Sequence, residues 1–227
     1  MNQTTSPTSS PIAVIGSGLA GYTLIREIRK LNKETPITLI TKEPGYFYSK
    51  PMLSTALAGK KEALQLISTP ADAMATQLEI QLMPETEVMS IDPTQKTIKT
   101  NNGDVAYEHL VLALGADQIR IPCNGNATKE ILTVNDLEDY AKFRDAITGQ
   151  KKVAILGAGL IGCEFANDLV LGGHEVDVID LAPQALGRLI PEIAAKELQA
   201  KLGAAGVRWH FNTTAKSIDR IQNQIQI

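Results

Sequence analysis

The sequence predicts an α/β protein with two doubly wound domains and a small β-meander. The first observation behind this prediction is the glycine pattern Gly-x-Gly-x-x-Gly, which occurs at residues 16–21 and again at residues 157–162. Each copy, called here the first and the second fingerprint, follows a short apolar run and precedes a segment with helical periodicity. One copy is weak evidence, but two copies in matching strand–turn–helix settings indicate two dinucleotide sites in one chain.

The glycines of a fingerprint have separate physical tasks. The first permits a tight turn, the second lets the backbone approach a pyrophosphate, and the third lets the helix pack on the strand. The N–H groups at the start of the helix then bind the anion. The predicted phosphate-binding residues of the first fingerprint are Gly16, Gly18, Leu19, Ala20 and Gly21. Those of the second fingerprint are Gly157, Gly159, Leu160, Ile161 and Gly162.

The other elements are predicted from apolar periodicity and from turn residues. Before residue 120 we expect strands at 12–15 and 37–40, an irregular stretch at 45–61, a helix at 71–77, a β-meander at 87–107 and a strand at 109–114. After it we expect a helix capped by Asn135 and ending at 147, a β-α-β unit at 152–180, a helix from about 191 and a strand at 207–211.

Composition and the positions of Pro- and Gly-rich segments predict the domain boundaries and the cellular location. Residues 1–10, polar and uncharged, are expected to be a disordered tail without signal-peptide features. A Pro/Gly/Asn-rich crossing then separates a first domain, 11–120, from a second, 121–227. The net charge of −3 argues against nucleic-acid binding, and no apolar run is long enough for membrane insertion. Two cysteines 40 residues apart (163 − 123) form neither a disulfide framework nor a metal site, which favours a cytoplasmic protein.

An acidic residue at the end of a predicted strand indicates the nucleotide preference of the second domain. Asp180 lies 23 residues after Gly157 (180 − 157), the spacing at which a carboxylate binds a ribose 2′-hydroxyl and repels a 2′-phosphate. This favours NAD over NADP, and the alternative is a solvated acid at a strand end. The corresponding stretch of the first domain reads Thr41, Lys42 and Glu43, so a ribose contact is less certain there.

With these residues in view, the chain resembles the flavoprotein reductases with two dinucleotide-binding domains. Within that group it is most similar to the rubredoxin–NAD(+) reductases of bacterial alkane hydroxylation. The runs that carry the resemblance are Gly-Ser-Gly-Leu-Ala-Gly-Tyr at 16–22, Tyr-Ser-Lys-Pro-Met-Leu-Ser at 48–54, Asn-Asp-Leu-Glu-Asp-Tyr-Ala at 135–141 and Leu-Gly-Ala-Gly-Leu-Ile-Gly-Cys-Glu-Phe-Ala-Asn-Asp-Leu at 156–169. The second run and the Cys-Glu-Phe-Ala-Asn-Asp part of the last one are the narrowest.

The resemblance implies roles for individual residues. The first fingerprint holds FAD and the second holds NADH. Lys50 corresponds to a lysine beside the flavin N5, and Glu164 to a glutamate that meets this lysine, so we expect an ion pair or close approach between them. Backbone at Val88 would meet the adenine of FAD, and the chain at Ala113 and Gly115 would pass under FAD.

The resemblance also implies a reaction and its rivals. Without a close cysteine pair, electrons must leave the flavin directly, so NADH would reduce FAD and FAD would reduce rubredoxin or another small iron-containing carrier. Cys163 is then expected to pack against the sheet. The alternatives are a ferredoxin reductase, an NADH oxidase or a non-catalytic, truncated nucleotide-binding fragment. Because the family's returning Gly-Asp segment is not found before Ile227, we expect an incomplete FAD domain and weak FAD binding by these residues alone.

Overall fold

The computed structural model describes residues 11–222 and 224–227, and their contacts form two compact units. The first unit contains the chain up to Ser49 and then Ile67–Asp117. The second unit contains Lys50–Leu66 and Gln118–Ile227. The tail predicted for residues 1–10 lies outside the described residues. The sequence-based division at residue 120 puts residues 50–66 in the first domain, whereas their contacts are with the second unit.

The first unit is built on a parallel sheet. Its strands are β1 (Ile12–Ile15), β2 (Ile37–Ile40), β3 (Phe47–Tyr48), β4 (Ile67–Thr69), β5 (Gln81–Met83), β6 (Val88–Asp92), β7 (Thr97–Thr100), β8 (Gly103–Ala106) and β9 (His109–Leu112). The parallel sheet has the order β5-β2-β1-β9, while β6, β7 and β8 form the predicted antiparallel meander. β3 and β4 form a separate short antiparallel pair.

The two faces of the first parallel sheet carry different layers. Helices α1 (Leu19–Leu31) and α2 (Ala71–Leu78) pack on one face, where Val14 and Leu39 are fully buried with Tyr22. The meander covers the other face, where Ala13 and Ile40 pack with Ile98. Side chains alternate between the faces along β1 because successive residues of a strand point in opposite directions. The first fingerprint follows β1 at the carboxyl edge of this sheet, which is the edge where parallel α/β sheets bind ligands.

The second unit repeats the β-α-β plan. Its elements are α3 (Leu137–Ile147), β10 (Lys152–Leu156), α4 (Leu160–Leu171), β11 (Glu175–Ile179), α5 (Glu192–Ala205), β12 (Val207–His210), β13 (Asp219–Ile221) and β14 (Gln224–Gln226). Strands β10, β11 and β12 form a parallel sheet in this order, and β13 pairs with β14 as a hairpin. Buried Val176 and Val178 of β11 contribute to the core of this unit.

Three local expectations are corrected. Residues 45–61 are not wholly irregular, because they contain β3 and a 3₁₀ helix at Lys50–Ser54. The cap of α3 is Asp136 rather than Asn135, since the Asp136 carboxylate accepts from the Asp139 N–H at 2.8 Å. Strand β9 ends at Leu112, two residues earlier than expected. Among the described residues no helix has the length and apolar character needed to cross a membrane.

Candidate functional site

Both fingerprints lie at the carboxyl edge of a parallel sheet, and they have the same backbone geometry. The N–H of Gly16 donates to Ile40 O at 2.8 Å, and the N–H of Gly157 donates to Ile179 O at the same distance. These two glycines have φ angles of 111° and 112°, which residues other than glycine rarely adopt. The predicted tight turn is therefore present twice, each time between a strand and the helix that follows it.

The second and third glycines of each fingerprint differ in their surroundings. A Cβ added to Gly21 would lie 2.0 Å from Gly16 O, and one added to Gly162 would lie 2.0 Å from Gly157 O. The third position of each fingerprint therefore requires glycine, because a side chain there would collide with the turn that joins the strand to the helix. A Cβ added to Gly18 or Gly159 would meet no described atom within 4 Å. That space is where the sequence predicts the pyrophosphate, so a dinucleotide fits both turns.

The helix starts that follow the turns are suited to an anion. In the described chain, neither α1 nor α4 has a side-chain cap or an acidic residue in its first turn. Their first N–H groups are thus free of internal partners, and the helix dipole adds a partial positive charge. The side chains of Leu19 and Leu160 are more than half exposed, which keeps the approach open. This is the arrangement that binds phosphate in dinucleotide folds.

Asp180 lies beside the second fingerprint, as its spacing predicts. One carboxylate oxygen accepts a short hydrogen bond from the N–H of Ala158, and the other accepts from the N–H of Ala182 at 2.6 Å. These bonds hold the carboxylate at the turn. Each oxygen has a second lone pair, so a ribose hydroxyl can still donate to it.

An open cavity of about 170 Å3 adjoins Asp180 in the second unit. Its lining includes Gly157, Asp180, Leu181 and Thr213, which come from the carboxyl ends of neighbouring strands or from the loops after them. A cavity at this edge of a parallel sheet is the usual place for the adenosine half of a dinucleotide.

The first unit has a hydroxyl pair where the second has Asp180. Because Ile40 and Ile179 make equivalent bonds to the two fingerprints, Thr41 occupies the position of Asp180. The Thr41 hydroxyl lies 2.9 Å from the Ser17 hydroxyl, and both side chains are buried. The two fingerprints therefore differ in the residue that follows the second strand of each fold, and the contact of this residue with a ribose stays a prediction. The sequence already placed Thr41 at this corresponding strand end.

The other predicted FAD contacts lie near this edge of the first unit. Ala113 follows β9, its N–H donates to Ile15 O at 2.8 Å, and its own carbonyl is 2.1 Å from a Cβ placed on Gly16. Gly115 has a positive φ of 73°. Val88 begins β6 and packs against the cluster that contains Ile40. The structure therefore places Ala113 against the first fingerprint and Val88 on the same sheet, and the roles of all three residues toward FAD stay predictions.

The expected Lys50–Glu164 ion pair does not form among the described residues. Instead, the Glu164 carboxylate accepts from the Ser54 hydroxyl at 2.5 Å. Lys50 is exposed at the start of the 3₁₀ helix that ends at Ser54, so both residues belong to the second unit. Residues 50–54 turn as a 3₁₀ helix, and this turn presents Ser54 to Glu164. A close approach of Lys50 to Glu164 stays a prediction. The roles of Lys50 and Glu164 toward the flavin stay predictions.

Two functional-site neighbours were not found by sequence reasoning. Asp168 is only 3% exposed, and its two oxygens accept from the N–H groups of Leu57 and Ala58 at 2.7 and 2.9 Å. Ser54 is likewise buried. A usable signal was present for Asp168: it stands four residues after Glu164 in a helix with no other charged residue, which puts both acids on one face.

Cys163 has the structural role expected for it. Its side chain is buried, and its sulfur lies 3.5 Å from Ala158 O. Burial, with the neighbouring carboxylates of Asp180 and Glu164, raises the pKa of the Cys163 thiol to about 11. The thiol is therefore protonated at neutral pH, which makes it a poor nucleophile.

Comparison with known proteins defines the class. Residues 10–226 match the pyridine nucleotide-disulphide oxidoreductase family, and the chain belongs to this family. FAD and NAD(H), the cofactors predicted above, are those that the family uses.

Two named relatives give a finer comparison. The chain is 43% identical to the rubredoxin–NAD(+) reductase of Alcanivorax borkumensis, over 94% of this chain and 56% of that protein. It is 44% identical to the enzyme of the same name from Acinetobacter baylyi, with the same two coverages. The chain thus spans about half the length of these curated relatives. Among solved structures, a ferredoxin reductase from Rhodopseudomonas palustris superposes with a TM-score of 0.87 at 28% identity, covering 95% of this chain and 54% of that one.

Proposed function

We propose that the protein carrying this chain is an NADH-dependent flavoprotein reductase that passes electrons through FAD to rubredoxin, in an alkane-hydroxylating system. The observation that carries the proposal is the pair of fingerprints with equal backbone geometry but different residues, Thr41 and Asp180, at the equivalent strand end. One chain thus offers two dinucleotide sites of unlike preference. The rubredoxin–NAD(+) reductases at 43–44% identity support rubredoxin as the acceptor.

In this proposal the second fingerprint binds NADH and the first binds FAD. The uncapped starts of α1 and α4 hold the two pyrophosphates. Asp180 accepts a hydrogen bond from the adenosine ribose of NADH and repels the extra phosphate of NADPH. The cavity beside Asp180 receives the adenosine.

Bound FAD supplies the chemistry that amino-acid side chains lack: it accepts a hydride from NADH and returns two electrons singly to an iron-containing carrier. The Lys50 ammonium offsets the negative charge that hydride arrival brings to the flavin site. Glu164, held by Ser54, keeps the local charge balanced and orients the segment that carries Lys50. Cys163, protonated and buried, takes no part.

The test uses the natural full-length protein. Its visible absorbance reports bound oxidised flavin, and anaerobic addition of NADH or NADPH reports reduction as loss of that absorbance. Cytochrome c reduction is then measured with rubredoxin or ferredoxin added as carrier. We expect a yellow protein, bleached faster by NADH, with higher rates through rubredoxin.

Each other outcome identifies a different protein. Higher rates through ferredoxin would indicate a ferredoxin reductase, and rapid oxygen consumption without any carrier would indicate an NADH oxidase. A colourless protein that NADH does not alter would contradict the proposal and favour a non-catalytic nucleotide-binding protein.

A further inference from the structure

We propose that Asp168 is a positioning residue for Lys50: its buried carboxylate fixes residues 57–58 on α4 and so holds the segment that presents Lys50 for hydride transfer. This inference rests on the proposed function, because the role of Lys50 beside the flavin comes from it. Asp168 lies in the Cys-Glu-Phe-Ala-Asn-Asp run that carries the resemblance, but no role was predicted for it from the sequence.

Within the second unit, segment 50–66 is attached to α3 and α4 at several points. Glu164 accepts from Ser54 at 2.5 Å, and Asp168 accepts from Leu57 and Ala58. Further along, Lys61 O accepts from the Tyr140 hydroxyl at 3.1 Å and from the Arg144 guanidinium at 2.8 Å. These bonds join residues that are 79 to 111 positions apart in sequence. The segment is therefore oriented by α3 and α4.

Asp168 is the most buried charged group among these anchors. A carboxylate that is 3% exposed is costly to bury unless its charge is compensated, and two N–H donors on consecutive residues provide the compensation. Two bonds to one carboxylate also fix direction, whereas a single bond allows rotation. Leu57 further packs on α4, since its side chain lies 3.3 Å from a Cβ placed on Gly172.

The anchors connect Lys50 to the nucleotide-binding helix. Lys50 and Ser54 are the ends of one 3₁₀ helix, and Ser54 also approaches Pro51 O at 3.1 Å. Helix α4 begins at the second fingerprint and carries Glu164 and Asp168 one turn apart. The helix that binds the pyrophosphate of NADH therefore also sets the position of the Lys50 segment. Catalytic groups need such support because small displacements lower the rate strongly.

The experiment is a double-mutant cycle in the natural full-length protein, with Asp168→Asn, Lys50→Met and both together. Asparagine keeps the shape but offers only one acceptor atom, so one of the two N–H groups loses its partner. We expect Asp168→Asn to lower the rate constant of flavin reduction by NADH about tenfold, the effect of losing one charged hydrogen bond, with the NADH Kd changed less than about twofold.

The cycle tests whether Asp168 acts through Lys50. In the Lys50→Met background the substitution at 168 should have less than about a threefold effect, because the group that it positions is gone. A second readout is the affinity of the oxidised flavin for sulfite, whose addition leaves negative charge that a nearby cation stabilises. Asp168→Asn and Lys50→Met should both weaken sulfite binding, and the double variant should be no weaker than Lys50→Met.

Hydrogen exchange supplies a readout that does not depend on the flavin. The amides of Leu57 and Ala58 should exchange faster in Asp168→Asn. The matched control is Asp145→Asn, which removes the same charge from an exposed position on α3 and should leave rates, sulfite affinity and exchange unchanged. Should Asp168→Asn fail to fold, Asp168→Glu keeps the charge but displaces the segment by the length of one methylene group. We expect this variant to lower the rate constant of flavin reduction about threefold, and only when Lys50 is present.

The outcomes separate the two proposals. An unchanged reduction rate in Asp168→Asn, or an equal loss with and without Lys50, would overturn the positioning role while the proposed function stands. A full-length protein that NADH fails to reduce would contradict the proposed function itself, whatever the exchange of the two amides.

Discussion

Replacing Gly162 by alanine tests the packing of the second fingerprint most directly. The new Cβ would lie 2.0 Å from Gly157 O and 3.0 Å from Gly157 C, whereas carbon–oxygen contacts normally need about 3.3 Å. Both obstructing atoms are backbone, so α4 must move away from β10 by roughly 1 Å. Overpacking of this kind costs about 1–3 kcal/mol. Alanine is otherwise favoured over glycine in a helix by about 1 kcal/mol. A loss of stability would therefore come from overpacking and not from helix propensity.

The assay is thermal and urea unfolding followed by circular dichroism. For a folded chain of about 150–250 residues, a cost of 1–3 kcal/mol corresponds to a Tm decrease of about 2–12 °C. The matched control is Gly159→Ala, where the added methyl group meets no described atom within 4 Å. We expect the control to keep its Tm within about 2 °C, which corresponds to a change of less than about 1 kcal/mol in the free energy of unfolding. It should nevertheless bind NADH more weakly, because the methyl group occupies the pyrophosphate's space.

The opposite pattern would refute this reasoning. A Gly162→Ala protein with the Tm of the wild type or higher would show that helix propensity outweighs the close helix–strand approach. Tight NADH binding by Gly159→Ala would show that the open space at the second glycine is not where the pyrophosphate lies.

Three further predictions concern charge. Asp180→Ser should lower the preference for NADH over NADPH, measured as the ratio of kcat/KM values, by about tenfold; equal values in the unmodified protein would contradict the role of Asp180. Lys50→Met should slow flavin reduction in stopped-flow experiments more than it raises the NADH Kd, because the charge that Lys50 offsets appears only during hydride transfer. Hydrogen bonds from Arg208, with those from His210, hold the pKa of Asp177 well below its ordinary value of 3.8, so its contribution to the free energy of unfolding is present above that value and is lost as the pH falls below it. In urea titrations from pH 5 to 2, Asp177→Asn should therefore lose less stability than the wild type, and parallel losses would exclude this contribution.

The fingerprints and the elements around them could be predicted because their requirements are local. A positive φ at Gly16 and the close helix–strand approach at Gly162 need glycine at those very positions, so the spacing carries the geometry. The strand ends follow in turn, since parallel strands that bury both faces are short apolar runs. Asp180 was identified by the same logic, because its distance along the chain from Gly157 is set by one β-α-β unit.

The Lys50 segment shows what the sequence could not provide. The resemblance pointed to Lys50 and Glu164, yet the partner of Glu164 is Ser54, four residues further on. Nothing local distinguishes these partners, because the choice depends on how a 3₁₀ turn meets a helix 110 residues away. The predicted cap of α3 was also wrong. Asn135 and Asp136 are both good capping residues, and only the backbone conformation decides between them.

By itself, the sequence determined two dinucleotide folds, the glycines that shape their turns and the acid beside the second turn, because each of these is specified within one β-α-β unit. Only the tertiary structure decided that residues 50–66 belong to the second unit and that Asp168 anchors them. The physical reason is that the two N–H donors that compensate the buried charge of Asp168 lie 111 and 110 residues away in sequence, and their convergence is a property of the folded state.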